Sequence, residues 1–253
     1  MCFSAPASFI TAAVTSTVGI VALIRVNERR ELPLAAMPLL FALQQGVEGV
    51  LWLNLPLAPN GPLSKALTLF YLFFAEAFWA SYAAISVWLV ERSENRRRLM
   101  GVCLGIGTGV GAYLLWWNLD HSQVPTILDG HIVYLTKYWP PYAVGVAYVA
   151  AMGLPLLLSS ERTVFVFGVI VLAGLVVAYA VYWEALISVW CFFAAAASVA
   201  ILSHFEWSRR SLLNTAGASP EEGRRVGEVT EGEGKQNCQE AEQSGSNPRE
   251  FEG

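Results

Sequence analysis

Charged residues are scarce in this chain, and that scarcity excludes an ordinary soluble protein. Only 14% of the 253 residues are charged, against roughly 25% in a typical soluble domain. Hydrophobic residues make up 55% of the chain, and the mean hydropathy is +0.47. The net charge of −4 is mild and gives no reason to expect a nucleic-acid partner.

Cysteine is also scarce, which argues against a disulfide framework and against a zinc finger. The four cysteines of the chain are Cys2, Cys103, Cys191 and Cys238. No two of them have the spacing of a metal finger, and two lie inside apolar segments. We therefore expect no disulfide.

Seven apolar segments are each long enough to cross a bilayer. A helix needs roughly 20 apolar residues to cross about 30 Å of hydrocarbon, where its backbone amides must find partners within the helix. The segments are Phe9–Val26, Pro33–Asn54, Ala66–Val90, Leu99–Leu119, Tyr142–Leu158, Val164–Trp183 and Ala185–Phe205. We predict an all-α, polytopic membrane bundle over residues 1–207 in contact with the lipid bilayer. Residues 208–253, rich in Gly, Glu, Ser and Gln, are predicted to be a disordered tail.

The arginines predict the orientation of the bundle. Alternate connecting segments carry ten arginines in total, whereas the segments between them carry only Lys65 and Lys137. Basic residues are retained on the cytoplasmic side of a membrane. We therefore predict a multi-pass protein of the cell (plasma or inner) membrane, with its N-terminus outside and its C-terminus in the cytoplasm. The first span is not expected to be a cleaved signal, since its arginines follow the apolar run.

Seven helices with an external N-terminus suggest a rhodopsin or a receptor, but a fold alone does not imply a function. The only lysines are Lys65, Lys137 and Lys235, so the last predicted span lacks the lysine that a retinal Schiff base needs. The seventh span also has no Asn-Pro-x-x-Tyr, which argues against a eukaryotic-type G-protein receptor.

Acidic side chains within the spans need an explanation, because an ionisable residue inside a membrane is costly and is a candidate functional residue. On the second span, Gln45 and Glu48 share one helix face, together with Gln44 and Trp52. The candidate ligand-binding residues, predicted to line a polar pocket in the outer half, are Gln45, Glu48, Glu76, Trp79 and Glu184. A buried polar network that only holds helices together is the alternative.

A metal site is a second possibility. The longest external segment, from Asp120 to Pro141, holds His121 and His131, and Cys2 lies on the same predicted side of the membrane. Cys, His and carboxylate are the usual ligands of zinc and related divalent metals, although the spacing here matches no known metal motif. Cys2, His121 and His131 are therefore the candidate metal ligands.

The fourth span carries two rows of glycine at four-residue spacing. One row is Gly101, Gly105 and Gly109, and the other is Gly107 and Gly111. Small residues at this spacing let helices approach closely. The rows predict close packing within the bundle, or alternatively a homo-oligomer through this helix.

The opening Met1-Cys2-Phe3-Ser4-Ala5, with Gln44-Gln45 and Glu48-Gly49 further along, resembles a known sequence pattern. It is similar to a family of uncharacterised, mostly bacterial, multi-spanning membrane proteins that begin Met-Cys-Phe-Ser-Ala. The resemblance covers residues 1 to about 207. It implies a membrane architecture and supplies no activity.

Three functions remain open at this point. The first is a ligand-binding or sensory protein with a pocket capped by the external segment. The second is a metal-dependent membrane enzyme, hydrolase-like, that uses Cys2, His121 and His131 with Glu48 or Glu76 as general base. The third is a small transporter or proton-linked permease in which Glu76 titrates, for which the chain shows neither an internal repeat nor a broken helix.

Overall fold

The computed structural model describes residues 4–121, 123–135, 140–203 and 205–206. The predicted tail over residues 208–253 and the candidate ligand Cys2 lie outside these residues. The helices are α1 (Ala5–Ile24), α2 (Leu32–Asn54), α3 (Pro62–Leu72), α4 (Trp79–Val90), α5 (Glu94–Asp120), α6 (Tyr142–Leu158), α7 (Arg162–Val181) and α8 (Leu186–Ala197). Helix α3 continues into α4 through a π-helical segment, Phe73–Phe78.

Six helical stretches within the described residues are long and apolar enough to cross a membrane. They are Ala5–Ile24, Arg29–Asn54, Pro62–Val90, Glu94–Asp120, Arg162–Val181 and Trp183–Ser203. The seventh predicted span, Tyr142–Leu158, is also an apolar helix, but its 17 residues are fewer. At a rise of 1.5 Å per residue, α6 is about 25 Å long, slightly less than the hydrocarbon thickness.

The surfaces of the long helices are apolar on the side that faces away from the bundle. Ile10, Ile20, Val102 and Val176 are all more than half exposed. In water such a surface would be an aggregation hazard, whereas in lipid it costs nothing. The helices are therefore consistent with those of a membrane protein.

The segment predicted as an external loop contains a β-hairpin. Strand β1 (Val124–Leu128) pairs antiparallel with β2 (His131–Leu135), and Leu128 lies opposite His131. The two-residue turn has positive φ at Asp129 (48°) and at Gly130 (74°). Asp-Gly suits the twist of such a turn, so the hairpin was readable from the sequence although we predicted only a loop.

The two glycine rows of α5 have different surroundings. A Cβ atom at Gly107 would lie 2.1 Å from the Ala80 carbonyl oxygen, and one at Gly111 would lie 2.5 Å from that of Ala77. Side chains there would push α5 away from the π segment and α4, so this row serves close packing within the bundle. Nothing described lies within 4 Å of a Cβ at Gly105 or Gly109. A homo-oligomer through that face stays a prediction.

The connections that follow α1, α4 and α6 gather at one end of the bundle, which we call the arginine-rich end. There Arg25 forms an ion pair with Glu206, and Arg96 donates a hydrogen bond to the Leu158 carbonyl oxygen (3.0 Å). The opposite end carries the hairpin, which packs against α3 and α8, and we call it the hairpin end. Helices α7 and α8 are joined by a single 3-10 turn, Trp183–Ala185, also at the hairpin end.

Glu91 closes the arginine-rich end. Its carboxylate accepts hydrogen bonds from the Ser93 backbone N–H (2.9 Å), the Ser160 backbone N–H (2.8 Å) and the Ser160 hydroxyl (2.6 Å). Burial pushes the pKa of Glu91 upward, but these hydrogen bonds and the nearby Arg96 outweigh it, so its pKa lies below the ordinary value of 4.5. Glu91 thus joins the α4–α5 and α6–α7 connections.

Candidate functional site

Gln44 is the centre of a buried hydrogen-bonded group that joins three helices. The Trp79 indole N–H donates to Gln44 Oε1 (2.8 Å), and Gln44 Nε2 donates to Cys191 Sγ (3.2 Å). Gln44 has no exposed surface, and Trp79 and Cys191 are each 5% exposed. The amide therefore uses both its donor and its acceptor to connect α2, α4 and α8.

A second pair links the same two faces of α2 and α8 one turn away. The Ser188 hydroxyl donates to Glu48 Oε1, and both residues have no exposed surface. Glu48 lies four residues after Gln44, and Ser188 lies three residues before Cys191, so each pair repeats along an antiparallel helix contact. Glu48 is thus held in the interior, as its position in the sequence predicted.

Glu76 lies in the π-helical segment and belongs to a separate chain of hydrogen bonds. Asn118 Nδ2 donates to Glu76 Oε2 (2.6 Å), and Gln123 Nε2 donates to Asn118 Oδ1 (3.1 Å). Gln123 immediately precedes β1, so this chain reaches from the intramembrane carboxylate to the hairpin end. π-helical turns are rare and are found frequently at functional sites.

Tyr148 and Cys191 connect the surroundings of the two carboxylates. The Tyr148 hydroxyl donates to the Ala75 carbonyl oxygen (2.5 Å), next to Glu76 in the chain. Cys191 accepts from Gln44 and lies one helix turn after Ser188, the partner of Glu48. The structure therefore brings the predicted residues Glu48, Glu76 and Trp79 into one region of the bundle.

A narrow cavity adjoins this polar group. Its lining includes Trp79, Tyr148 and Cys191, whose side chains carry polar atoms. The rest of the wall is Met37, Phe41, Ala75, Ala83, Met152, Leu156, Phe167, Val171, Trp190 and Ala194. The polar atoms of the first three residues already face protein partners, so the surface offered to an occupant is almost entirely apolar.

Of the predicted ligand-binding residues, only Trp79 lies on the wall of this cavity. Glu48 and Glu76 lie behind the wall, bonded to Ser188 and Asn118 respectively. Glu184 is exposed and lines a different cleft at the hairpin end, beside Tyr134 and Trp183. The structure shows an apolar cavity with a polar layer behind it, and the polar pocket in the outer half stays a prediction.

Gln45 is buried without hydrogen-bond partners. It has no exposed surface, and neither Oε1 nor Nε2 has a partner within the described residues. A buried polar atom left unsatisfied costs about 1–3 kcal/mol. Such an atom in a native core calls for a physical explanation, and none of the described side chains supplies one.

The two histidines proposed as metal ligands are engaged in different local contacts. The His121 ring stacks on Trp117, with ring centroids 4.1 Å apart, and lies 3.5 Å from an Asp120 carboxylate oxygen. His131 is 9% exposed and meets Tyr182 edge-on, and burial lowers its pKa below the ordinary 6.5 although Asp129 acts in the opposite direction. Within the described ranges no three His, Cys, Asp or Glu side chains are grouped as a metal site would require. A site that includes Cys2 stays a prediction.

Sequence reasoning missed the partners of the carboxylates. Asn118, Tyr148, Ser188 and Cys191 were not among the candidates, because serine, cysteine and tyrosine are common in apolar helices. The readable signals were the lone amide of Asn118 in an apolar span and the three-residue spacing of Ser188 and Cys191.

The match of the chain to a known family covers these residues. The model of a family described as "Family of unknown function (DUF6629)" matches residues 1–218 of the chain. The chain belongs to this family. The predicted membership of an uncharacterised family is thereby confirmed, whereas the shared opening pentapeptide and the bacterial origin stay predictions. No curated protein and no solved structure matches this DUF6629 chain.

Proposed function

We propose that this DUF6629 protein is an integral membrane protein of seven crossings that binds an apolar ligand in its central cavity. The observation that carries the ligand is the cavity itself, whose apolar lining includes the hydrogen-bonded side chains of Trp79, Tyr148 and Cys191. Ligand sites in proteins are typically apolar clefts with a few well-placed polar groups. A ligand-binding or sensory role follows most directly from this arrangement.

Seven crossings are supported by the position of the short helix α6. The Ser160 N–H and hydroxyl just after α6 bind Glu91 just after α4, and the Tyr148 hydroxyl binds Ala75 midway along the α3–α4 stretch. Helix α6 therefore runs parallel to that stretch and ends level with it. With the positive-inside rule, the arginine-rich end is assigned to the cytoplasm and the N-terminus to the outside of the cell membrane.

The chemistry of the wall favours a hydrocarbon chain or a small apolar ring. A hydroxyl or a carboxylate placed there would lose its water without gaining a hydrogen bond, because the polar atoms of the lining already have partners. The space open to anything as wide as a water molecule is small, so a slender chain fits better than a bulky molecule. The hydrocarbon part of a bilayer amphiphile has this shape.

Photolabelling of the full chain in detergent tests this proposal. The probe is a medium-chain fatty alcohol with a diazirine at the end of its chain, and the unlabelled alcohol is the competitor. We expect saturable, competed labelling of Met152 and Phe167 on the cavity wall. Labelling of the outward-facing Val102 should not saturate and serves as the internal control.

Cavity-filling variants make the test specific. Ala83→Leu and Ala194→Phe place extra carbons into the cavity and should abolish the saturable labelling, whereas Ala112→Phe on the exposed face of α5 should not. Each variant is first checked for a cooperative thermal transition. Labelling that is nonsaturable everywhere in the wild type, or unchanged in both filled variants, would refute the binding role.

The other two functions stay predictions. A metal-dependent enzyme depends on Cys2, which lies outside the described residues. A proton-linked permease depends on titration of Glu76 during transport, for which the Glu76–Asn118–Gln123 chain offers a route but no substrate.

A further inference from the structure

Helices α1, α2 and α8 pack against one another and enclose a group of buried polar side chains. Glu48 accepts a hydrogen bond from Ser188, and Gln45 lies one turn before Glu48 on α2. On α1, the Phe9 ring packs onto Gly49, which places the neighbouring Ser8 level with Glu48. The members of this cluster are Ser8, Gln45, Glu48 and Ser188, and all four have no exposed surface.

Part of this cluster has no protein partner. Both amide atoms of Gln45 and the Ser8 hydroxyl oxygen are buried and make no hydrogen bond within the described residues. The Trp52 indole N–H lies two turns from Gln45 on the same side of α2. It is also buried and makes no hydrogen bond within the described residues. Buried polar atoms without partners indicate that something else satisfies them.

The chemistry of the cluster narrows the choice of ligand. Its groups are a carboxylate, an amide and two hydroxyls, which present hard oxygen atoms and suit alkali or alkaline-earth cations rather than the softer transition metals. The only carboxylate among the four is Glu48. A single carboxylate supplies at most one negative charge, so the cluster matches a monovalent cation better than a divalent one.

We propose that Ser8, Gln45, Glu48 and Ser188 form a binding site for a sodium ion. The ion takes oxygen ligands from the Gln45 amide, the Glu48 carboxylate and the hydroxyls, and water completes the shell and accepts from the Gln45 Nε2–H. Glu48 lies about 9 Å and Gln45 about 13 Å from the end of α2 at Asn54, so the ion enters from the hairpin end past Trp52.

This site is separate from the apolar cavity. Neither Gln45 nor Glu48 lines the cavity. The neighbouring Gln44 is hydrogen-bonded to Trp79, which does line it. Sodium binding and the binding of an apolar ligand are therefore independent claims. Photolabelling of the cavity can fail while sodium still binds. Sodium binding can likewise fail while the cavity is still labelled.

Thermal unfolding of the full chain in detergent tests the sodium site. The protein is purified in N-methylglucamine chloride, and sodium chloride then replaces that salt at constant ionic strength. We expect a saturable rise in the unfolding midpoint, because an ion that binds only the folded state stabilises it. Retention of radioactive sodium on the same sample reports binding directly.

Matched variants separate this site from a general effect of sodium. Glu48→Gln and Gln45→Leu should each abolish the sodium-dependent rise and the retained radioactivity. Glu76→Gln makes the same chemical change at the other intramembrane carboxylate and should leave both intact. If Glu48→Gln does not fold, Gln45→Leu and Ser8→Ala carry the test.

Three results would overturn the proposal. The first is a wild type whose midpoint and radioactivity do not respond to sodium, in which case water alone satisfies Gln45. The second is a sodium effect that survives in Gln45→Leu. The third is a sodium effect that disappears as completely in Glu76→Gln as in the cluster variants.

Discussion

Glu91 at the arginine-rich end and Glu48 toward the hairpin end are both buried carboxylates, with 3% and 0% of their surface exposed. Glu91 accepts three hydrogen bonds and has Arg96 nearby, so it is held by groups that the chain supplies in full. Glu48 accepts a hydrogen bond from Ser188, while the adjacent Gln45 makes no hydrogen bond within the described part of the chain.

The difference separates a structural role from a functional one. A buried charge that is fully hydrogen-bonded serves to fix the connections around it, whereas buried polar groups left without partners are retained at a cost to stability. The arginine-rich end is therefore a structural closure, and the region around Glu48 is where ligand binding is to be sought. Four groups of variants test this comparison and the hairpin that lies at the Glu48 side.

The largest effect is expected for Glu91→Ala. The change leaves the N–H groups of Ser93 and Ser160 without their acceptor, so we expect a loss of about 3 kcal/mol of unfolding free energy. Thermal unfolding in detergent measures it. Glu94→Ala, an exposed neighbour, should cost less than about 1 kcal/mol. Equal losses in both variants would show that Glu91 does not close this end.

The two adjacent glutamines should respond with opposite signs. Gln44→Leu removes the partner of Trp79 and of Cys191 and should destabilise the fold by about 2 kcal/mol. Gln45→Leu removes an unsatisfied amide and, in sodium-free buffer, should raise stability by about 1–3 kcal/mol. The unfolding midpoints of both variants are compared. A loss in Gln45→Leu as large as that in Gln44→Leu would contradict the functional interpretation.

A smaller effect is expected at the hairpin turn. Gly130→Ala places a side chain at a φ of 74° and should cost about 1 kcal/mol, although nothing lies within 4 Å of the new Cβ. Gly145→Ala in α6 also meets no atom within 4 Å, yet it lies in a helix and should be neutral or slightly stabilising. Because neither new side chain meets another atom, a difference between the unfolding midpoints of the two variants reports on backbone conformation alone. Equal midpoints would argue against the observed turn.

The smallest effect is the pH response of His131. Because burial lowers the pKa of this residue in the folded state, its contribution to stability is complete above the ordinary value of 6.5 and is lost as the pH falls through the folded value. At Glu91, whose pKa is lowered by its hydrogen bonds, the corresponding loss begins only below 4.5. The midpoint of His131→Phe relative to wild type, followed from about pH 8 to about pH 5, should rise as the pH falls. A difference in midpoint that does not change with pH would show that His131 does not contribute to the pH dependence of stability.

Much of the helical architecture could be predicted from the sequence, and the reason is the bilayer. Long apolar runs without charge have few alternatives, and the predicted span Pro33–Asn54 differs from helix α2 by one residue at its start. The hairpin was missed because a long polar connection was treated as a loop, although Asp129-Gly130 carried the turn signal. The number of crossings depends on α6, since its 17 residues are marginal by length alone.

The candidate site was less predictable than the helices. The periodicity of α2 correctly indicated that Gln44 and Glu48 share a buried face, because residues four apart lie on one side of a helix. It could not show that Gln44 is bonded on both sides while Gln45 is bonded on neither, since the partners come from α4 and α8.

The sequence by itself determined the apolar helices, the arginine-rich segments that alternate with arginine-poor ones, and the carboxylates placed within spans. These follow from local composition and from the cost of exposing peptide groups or charge to lipid. Only the tertiary structure decided that Trp79, Tyr148 and Cys191 line one apolar cavity and that Glu48 meets Ser188 140 positions away. Contacts between distant segments depend on how the helices rotate and pack, and no local pattern contains that information.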